Sequence, residues 1–218
     1  MPAVPKHRQP IVNTAVTLFR RQGYSRTGLN EIIDVSGAPK GSLYHYFPLG
    51  KSSIAVAAVT EAGRRVAATL TKLVEECRST GELVRRHAEL LSGWMRASGF
   101  RDGCPITTVL LELAPGDRDV TEAGRSAYRT RVSILADKLA ADGFPRARAD
   151  ALAVLCTSAL QGALIQARVE RSGRPLEITA TELARLLDKA TAASIAKSLN
   201  PAAYRRGRSR SAHHRQAR

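Results

Sequence analysis

Apolar residues recur at three- and four-residue spacing along almost the whole of this 218-residue chain, and strand-type alternation is nowhere sustained. That spacing places apolar side chains on one face of an α-helix. Glycines and prolines interrupt the pattern where helices would end or begin. The sequence therefore predicts an all-α fold, with helices over 9–22, 28–36, 38–46, 51–77, 80–98, 104–114, 117–142, 146–171 and 179–199.

The charge of the chain is strongly positive and lies mainly at its two ends. Lys and Arg number 34 against 19 Asp and Glu, a net charge of +15. Residues 1–51 carry seven basic and two acidic side chains, and residues 205–218 carry six arginines and no acid. Such an excess indicates a polyanionic partner. The C-terminal segment is expected to be disordered, either as a solubilising tail or as a non-specific phosphate-binding arm.

Cysteine usage and apolar runs indicate a cytoplasmic protein. Cys77, Cys104 and Cys156 lie far apart without a CxxC pair, which argues for reduced thiols and against a zinc site. The N-terminus lacks the apolar segment of an export signal. The longest uncharged run, 151–167, includes polar residues and is shorter than the roughly 20 residues of a membrane span. We expect a nucleoid-associated protein without membrane contact, metal or cofactor.

Two short helices separated by a glycine-containing turn are predicted within residues 27–51. Thr27 is the expected N-cap of the first. Leu29 and Ile32 give that helix an apolar face, and Gly37 tolerates the positive φ of the turn. The second would bury Leu43 and Phe47. Its outward residues would be Lys40, Gly41, Ser42, Tyr44 and His45. This arrangement predicts a helix-turn-helix, whose second helix lies in the major groove of DNA.

The order of residues in this stretch is specific. The relevant residues are Phe19, Gly23, Tyr24, Thr27, Ile32, Gly37, Lys40, Gly41, Ser42, Leu43, Tyr44, Phe47 and Lys51. In this order they resemble the DNA-binding domain of the TetR family of bacterial one-component regulators. The stretch SGAPKGSLYHYFPLGK and the segment DGCPITTVLLEL further resemble the LmrA/YxaF-type branch. Gly28 and a loop one residue longer before Lys51 depart from the general family pattern.

The resemblance implies three domains: a three-helix DNA-binding domain over 1–50, a larger helical ligand-binding and dimerisation domain over 51–203, and the basic tail over 204–218. It implies a homodimeric, site-specific regulator, expected to be a repressor released from a palindromic operator by a small hydrophobic molecule. The phosphate contacts it implies are Thr27, Tyr44, His45 and Lys51. Lys40 and Ser42 would contact base edges, with Gly41 allowing close approach.

The resemblance also assigns roles to the helical body. Its last two helices are rich in small residues and leucines and are implied to pair across a two-fold axis, with ordinary intrachain core as the alternative. The expected interface residues are Leu152, Leu155, Ala159, Gly162, Ala163, Leu183, Leu187 and Ala190. The middle helices would enclose a ligand pocket. Its candidate residues are Trp94, Met95, Phe100, Thr107, Leu111, Tyr128, Leu135, Leu160, Gln161 and Leu164.

No catalytic motif accompanies these features, so we expect a protein that is not an enzyme. The segment Gly50-Lys51-Ser52 resembles the end of a phosphate-binding loop, but His45 occupies the position of its first glycine. Two alternatives stay open. One is an architectural DNA-binding protein driven by the basic tail, which would lack sequence preference. The other is a cytosolic enzyme or ligand-storage protein with a relic DNA-binding domain, which would not bind duplex DNA.

Overall fold

The computed structural model describes the backbone of residues 6–199 and the side chains of residues 6–188. Over this part of the chain it contains nine α-helices and no strand, which confirms the all-α prediction. The helices are α1 (Arg8–Gln22), α2 (Leu29–Ser36), α3 (Lys40–Tyr46), α4 (Lys51–Glu76), α5 (Thr80–Ala97), α6 (Pro105–Leu113), α7 (Arg118–Ala141), α8 (Arg146–Glu170) and α9 (Arg174–Leu199). The basic tail lies outside the described residues.

Two helix starts differ from the prediction. Helix α9 begins at Arg174, five residues early, because Pro175 occupies its first turn, where a missing N–H is harmless. Thr27 is not the N-cap of α2. Its hydroxyl donates instead to the Gly23 carbonyl at 2.7 Å, and Gly28 takes the N-cap position. The Glu31 carboxylate at the third helical position accepts the Gly28 N–H at 3.5 Å.

The buried side chains form two apolar clusters. The carboxyl-terminal core joins the later part of α4 to α5, α7, α8 and α9, with Leu83, Leu139 and Leu152 almost fully buried. The amino-terminal core joins α1, α2 and α3 to the first half of α4, and it also takes in Ile106 and Val109 of α6. Helix α6 therefore belongs by sequence to the body but packs with the first three helices.

Helix α8 is long and apolar enough to cross a membrane by length and composition. Nine of its side chains, however, are buried against other helices of the chain, from Ala149 to Ala167. The side of α8 that these residues form is therefore part of the core of the fold.

Candidate functional site

The two helices of the helix-turn-helix pack through buried apolar side chains. Gly37 ends α2 with φ of 65° and ψ of 15°, the left-handed conformation that glycine adopts without strain. The chain then turns so that α3 rests on Leu43 (0% exposed) and Phe47 (2% exposed). Ile32 of α2 is fully buried beneath them in the same core. The packing fixes the orientation of α3 and leaves its other face in solvent.

The solvent face of α3 carries the residues predicted to contact DNA. Lys40, Gly41, Tyr44 and His45 are exposed, and Ser42 is half-buried. A Cβ built on Gly41 would meet no atom within 4 Å among the described residues outside its own helix and its two chain neighbours. Gly41 is the second residue of α3, and alanine is the better helix former. The described fold therefore gives no reason for a glycine at this position.

Two residues predicted to contact phosphates, Thr27 and Lys51, lie outside α3, and their side chains contact other groups of the chain. Thr27 is fully buried, and its hydroxyl is held by Gly23 and by Gln22 Nε2 at 3.3 Å. Its side chain is therefore unavailable to a phosphate in this structure, and that prediction is corrected. The Lys51 ammonium lies 4.2 Å from the centre of the Tyr24 ring and donates to the Ser25 carbonyl at 3.3 Å. Partial burial lowers the pKa of Lys51, while nearby Glu112 opposes that shift.

Two further cations lie on this part of the molecule and were not singled out from the sequence. Arg8 places its guanidinium 5.6 Å from the centre of the Phe47 ring, at the carboxyl end of α3. Arg26 is exposed immediately before α2. The excess of positive charge in residues 1–51 was the available signal, but it could not say which cations share a face.

Helix α6 connects the body to the helix-turn-helix through Glu112. The Glu112 carboxylate accepts the backbone N–H groups of Tyr24 and Ser25, each at 2.7 Å. Desolvation alone would raise the pKa of Glu112, but these hydrogen bonds and the charge of Lys51 outweigh it and hold the pKa below its ordinary value. Gly23 makes the approach possible, because a Cβ there would lie 2.5 Å from a Glu112 carboxylate oxygen.

A cavity of about 280 Å³ lies between α1, α4, α5, α7 and α8 and is closed on one side by the loop before α6. Its walls are mostly apolar, with Val16, Val66, Leu91 and Met95 among them. A largely apolar enclosure with a few polar groups is typical of small-molecule sites. No group of three or more metal-ligating side chains occurs in the part of the chain that the structure describes.

Six of the ten predicted pocket residues line this cavity. They are Trp94, Met95, Leu135, Leu160, Gln161 and Leu164. The other four do not line it, and those predictions are corrected. Leu111 is 76% exposed on the outer side of α6, and Phe100 lies in the turn after α5. Thr107 and Tyr128 bond to each other at 3.3 Å, and Tyr128 packs against the amino-terminal core.

Apart from Gln161, the charged and polar lining of the cavity was not predicted. It includes His87 (5% exposed), Arg131 (8% exposed), Asp102 and Thr157. Burial, and then the charge of Arg131, lower the pKa of His87 to about 4, so its imidazole is neutral at pH 7. A signal for Arg131 existed, since it falls on the buried stripe of α7 with Gly124 and Leu135.

Helices α8 and α9 carry an exposed apolar face. It includes Val154, Leu155, Ile165, Val169, Ile178 and Leu186. Of the predicted interface residues, Leu155 is 44% exposed, and Ala159 and Gly162 are half-buried. Four others are corrected, because they are buried in the chain's own core and cannot reach a partner: Leu152, Ala163, Leu183 and Leu187. The Ala190 side chain lies outside the described residues.

Comparison with known proteins identifies the two halves of the chain. Residues 11–58 match the model of the bacterial regulatory proteins of the tetR family. Residues 80–182 match the C-terminal domain of LmrA/YxaF-like transcriptional regulators. An uncharacterized HTH-type transcriptional regulator of Mycobacterium tuberculosis is 35% identical over 185 residues, covering 83% of this chain and 93% of that protein.

Two further relatives agree in sequence and in fold. The HTH-type transcriptional regulator LmrA of Bacillus subtilis is 31% identical, with 78% of this chain and 90% of the relative covered. The crystal structure of regulatory protein TetR from Rhodobacter sphaeroides has the same fold, with a TM-score of 0.72 at 23% identity over 82% of this chain and 97% of that one. The chain therefore belongs to the LmrA/YxaF-like branch of the TetR family of bacterial transcriptional regulators.

Proposed function

We propose that this regulator acts as a homodimeric repressor that binds a palindromic operator through α3 and leaves it when a small molecule occupies the cavity. The observation that carries the proposal is the bonded connection between the cavity and the helix-turn-helix through the start of α6 and Glu112. As a regulator of transcription it would act on DNA in the cytoplasm.

The DNA contacts would divide into two classes. Lys40 and Ser42 are proposed to bond base edges, with Gly41 allowing the helix to approach the groove closely. Tyr44 and His45 on α3 would bond phosphates, as would the remaining N–H donors of Lys51. Exposed Arg8 and Arg26 join this second class. Both flank the same helix-turn-helix, Arg8 near Phe47 and Arg26 before α2.

The connection begins at the cavity wall. Asp102 lines the cavity and pairs with Arg20 at 2.9 Å and with Arg21 at 3.5 Å, both at the end of α1. The Gly103 N–H also donates to the Arg20 carbonyl at 2.8 Å. A ligand that displaces the loop at residues 102–105 must therefore pull on α1 or break these bonds.

The connection continues along α6. Ile106 and Val109 are buried in the amino-terminal core, and Glu112 at the far end holds the backbone before α2. A shift of α6 would thus move the helix-turn-helix and change the distance between the two α3 helices of a dimer. Operators read by such pairs have half-sites about 34–36 Å apart. Coupling of this kind is typically worth about 1–3 kcal/mol.

Dimerisation is proposed through the exposed apolar face of α8 and α9. Leu155, Ile165 and Val169 lie on one side of α8, and Ile178 and Leu186 lie on α9. Exposed apolar faces of this kind are typical of protein interfaces. A two-fold axis through them would bring two copies of each helix into a four-helix interface.

The test is binding of purified protein to its own upstream intergenic duplex and to a scrambled duplex, at physiological salt. It is run with the full chain and with a chain ending at Tyr204. We expect a preference of about a thousandfold or more, retained without the tail. Equal binding to both duplexes, lost without the tail, would instead establish the architectural alternative. Absence of duplex binding would favour a relic DNA-binding domain.

A further inference from the structure

An arginine without a partner lies on the wall of the cavity. Arg131 of α7 is 8% exposed. All 19 acidic side chains lie among the described residues, and none is within 4 Å of its guanidinium. Arg125 and Arg129 on the same helix are exposed and both pair with Glu122. Because arginine stays charged at all relevant pH values, Arg131 is a buried cation whose charge is not balanced within the described fold.

The other charged side chains on the cavity wall all have ion-pair partners. Asp102, the acidic residue of the wall, is held by Arg20 and Arg21. Arg65 also lines the cavity and pairs with Glu61 at 2.7 Å. Among the charged side chains that line the cavity, Arg131 is therefore the one without an oppositely charged group within 4 Å in the described residues.

Neutral polar groups lie on the same wall. His87 is uncharged at pH 7 and offers one donor and one acceptor. The Thr157 hydroxyl, 7% exposed, has no hydrogen-bond partner among the described residues. Buried polar atoms in folded proteins nearly always have partners, so a cavity whose lining includes both an unpaired threonine hydroxyl and an arginine without a carboxylate partner indicates a ligand with a polar head.

We propose that the effector of this cavity is an amphipathic carboxylate, whose head group pairs with Arg131 and whose apolar body lies along Val66, Leu91 and Leu160. A negatively charged head group supplies the partner that Arg131 lacks, and a planar carboxylate matches the two parallel donors of a guanidinium. The volume of about 280 Å³ limits the apolar body to a size such as one short alkyl chain or two fused rings. The inference rests on the proposed function only in taking this cavity as the effector site.

The experiment compares acids with alcohols of the same apolar body. Titration calorimetry on the full-length protein uses decanoate against decanol and 2-naphthoate against 2-naphthalenemethanol. Each acid should bind about tenfold to a hundredfold more tightly than its alcohol, as expected for a charge-assisted bond. Trp94, the single tryptophan of the chain, lines the cavity, so its fluorescence should change with decanoate and locate the binding.

Three variants assign the preference to Arg131. Arg131→Met should lose the preference for the acid while keeping the affinity for the alcohol, and Arg131→Lys should keep part of it. Arg129→Met is the matched control, because it removes one positive charge from the exposed side of the same helix. It should leave both affinities unchanged.

Stability provides an independent readout. If the Arg131 charge is unbalanced without ligand, ligand-free Arg131→Met should unfold at a temperature no lower than the wild type. A fall of many degrees would show that the fold itself needs the guanidinium, and it would overturn the inference. So would a panel in which no acid binds more tightly than its alcohol.

The outcome for the effector class is separable from the outcome for the proposed function. Binding of decanoate that depends on Arg131 but leaves the operator complex intact would uphold the carboxylate site and contradict ligand-induced release. Release of the operator by the alcohols as readily as by the acids would uphold the proposed function and overturn the carboxylate inference.

Discussion

The surface of α3 and the wall of the cavity both carry polar groups that the fold itself does not use, but in opposite surroundings. Lys40 and Tyr44 are exposed, so water can hydrogen-bond to their polar groups when no DNA is bound. Arg131 and Thr157 are more than nine-tenths buried, so bulk water cannot take the place of a partner for them. Replacing the first pair should therefore change binding alone, whereas replacing groups in the cavity should change stability as well.

Leu43→Ala should have the largest effect and should reduce both stability and DNA binding, because Leu43 lies beneath the exposed face of α3. Leu43 is fully buried, so Leu43→Ala should lower the free energy of unfolding by about 2–5 kcal/mol. Operator binding should fail with it, since α3 loses its support. Chemical denaturation measures the first effect. Tyr44→Ala, the neighbouring exposed residue, is the control and should unfold like the wild type.

In the cavity, the buried imidazole of His87 should make the free energy of unfolding depend on pH. Its pKa is lowered to about 4 in the fold, against 6.5 when unfolded, so the unfolded chain binds a proton that the native state excludes. Stability should therefore fall as the pH drops from 6.5 to 4, by about 3 kcal/mol in total.

Urea denaturation between pH 7.5 and 5 isolates this effect, because carboxylates with lowered pKa values add losses only at lower pH. His87→Leu should remove the slope in that interval. His45→Gln, on the exposed face of α3, should retain it. A slope unchanged in His87→Leu would contradict the assignment to the buried imidazole.

On the surface of α3, Lys40→Ala should change DNA binding and leave stability unchanged. Loss of a base contact should cost about 1–3 kcal/mol in operator binding and weaken the preference over scrambled DNA. The free energy of unfolding should stay within about 0.5 kcal/mol of the wild type, because Lys40 is exposed. Lys72→Ala on α4, also exposed, is the matched charge control. Equal losses for both variants would mean that Lys40 acts only through net charge.

The smallest effect is expected for Gly41→Ala, which should change stability and operator affinity in opposite directions. The added Cβ of Gly41→Ala would meet no atom within 4 Å among the described residues outside α3 and the two chain neighbours, and the substitution should stabilise the isolated protein by up to about 1 kcal/mol, since alanine is the better helix former. Operator affinity should nevertheless fall if DNA approaches α3 at this point. Thermal unfolding and operator titration on the same sample measure both. Tighter operator binding by Gly41→Ala would show that DNA does not approach there.

The helix-turn-helix could be predicted from the sequence because its determinants are local. The turn at Gly37 and the anchor at Leu43 lie within a few residues of the face that they position. The cavity is formed by helices that are far apart in the chain. The sequence therefore could not distinguish residues that line it from other apolar residues such as Leu111 and Tyr128. Arg131 was predictable in part, as a cation on a buried stripe, whereas the Glu112 bonds across 88 and 87 residues were not.

The proposed mechanism requires that the DNA-binding helices are coupled to the cavity through α6. Hydrogen exchange of the full chain, with and without its operator duplex, tests this coupling and needs no effector. Because coupling is reciprocal, DNA binding should alter exchange at residues 102–113 as well as in α2 and α3, and Glu112→Gln should reduce that distant change. Changes confined to residues 6–51 in the wild type would contradict the coupling.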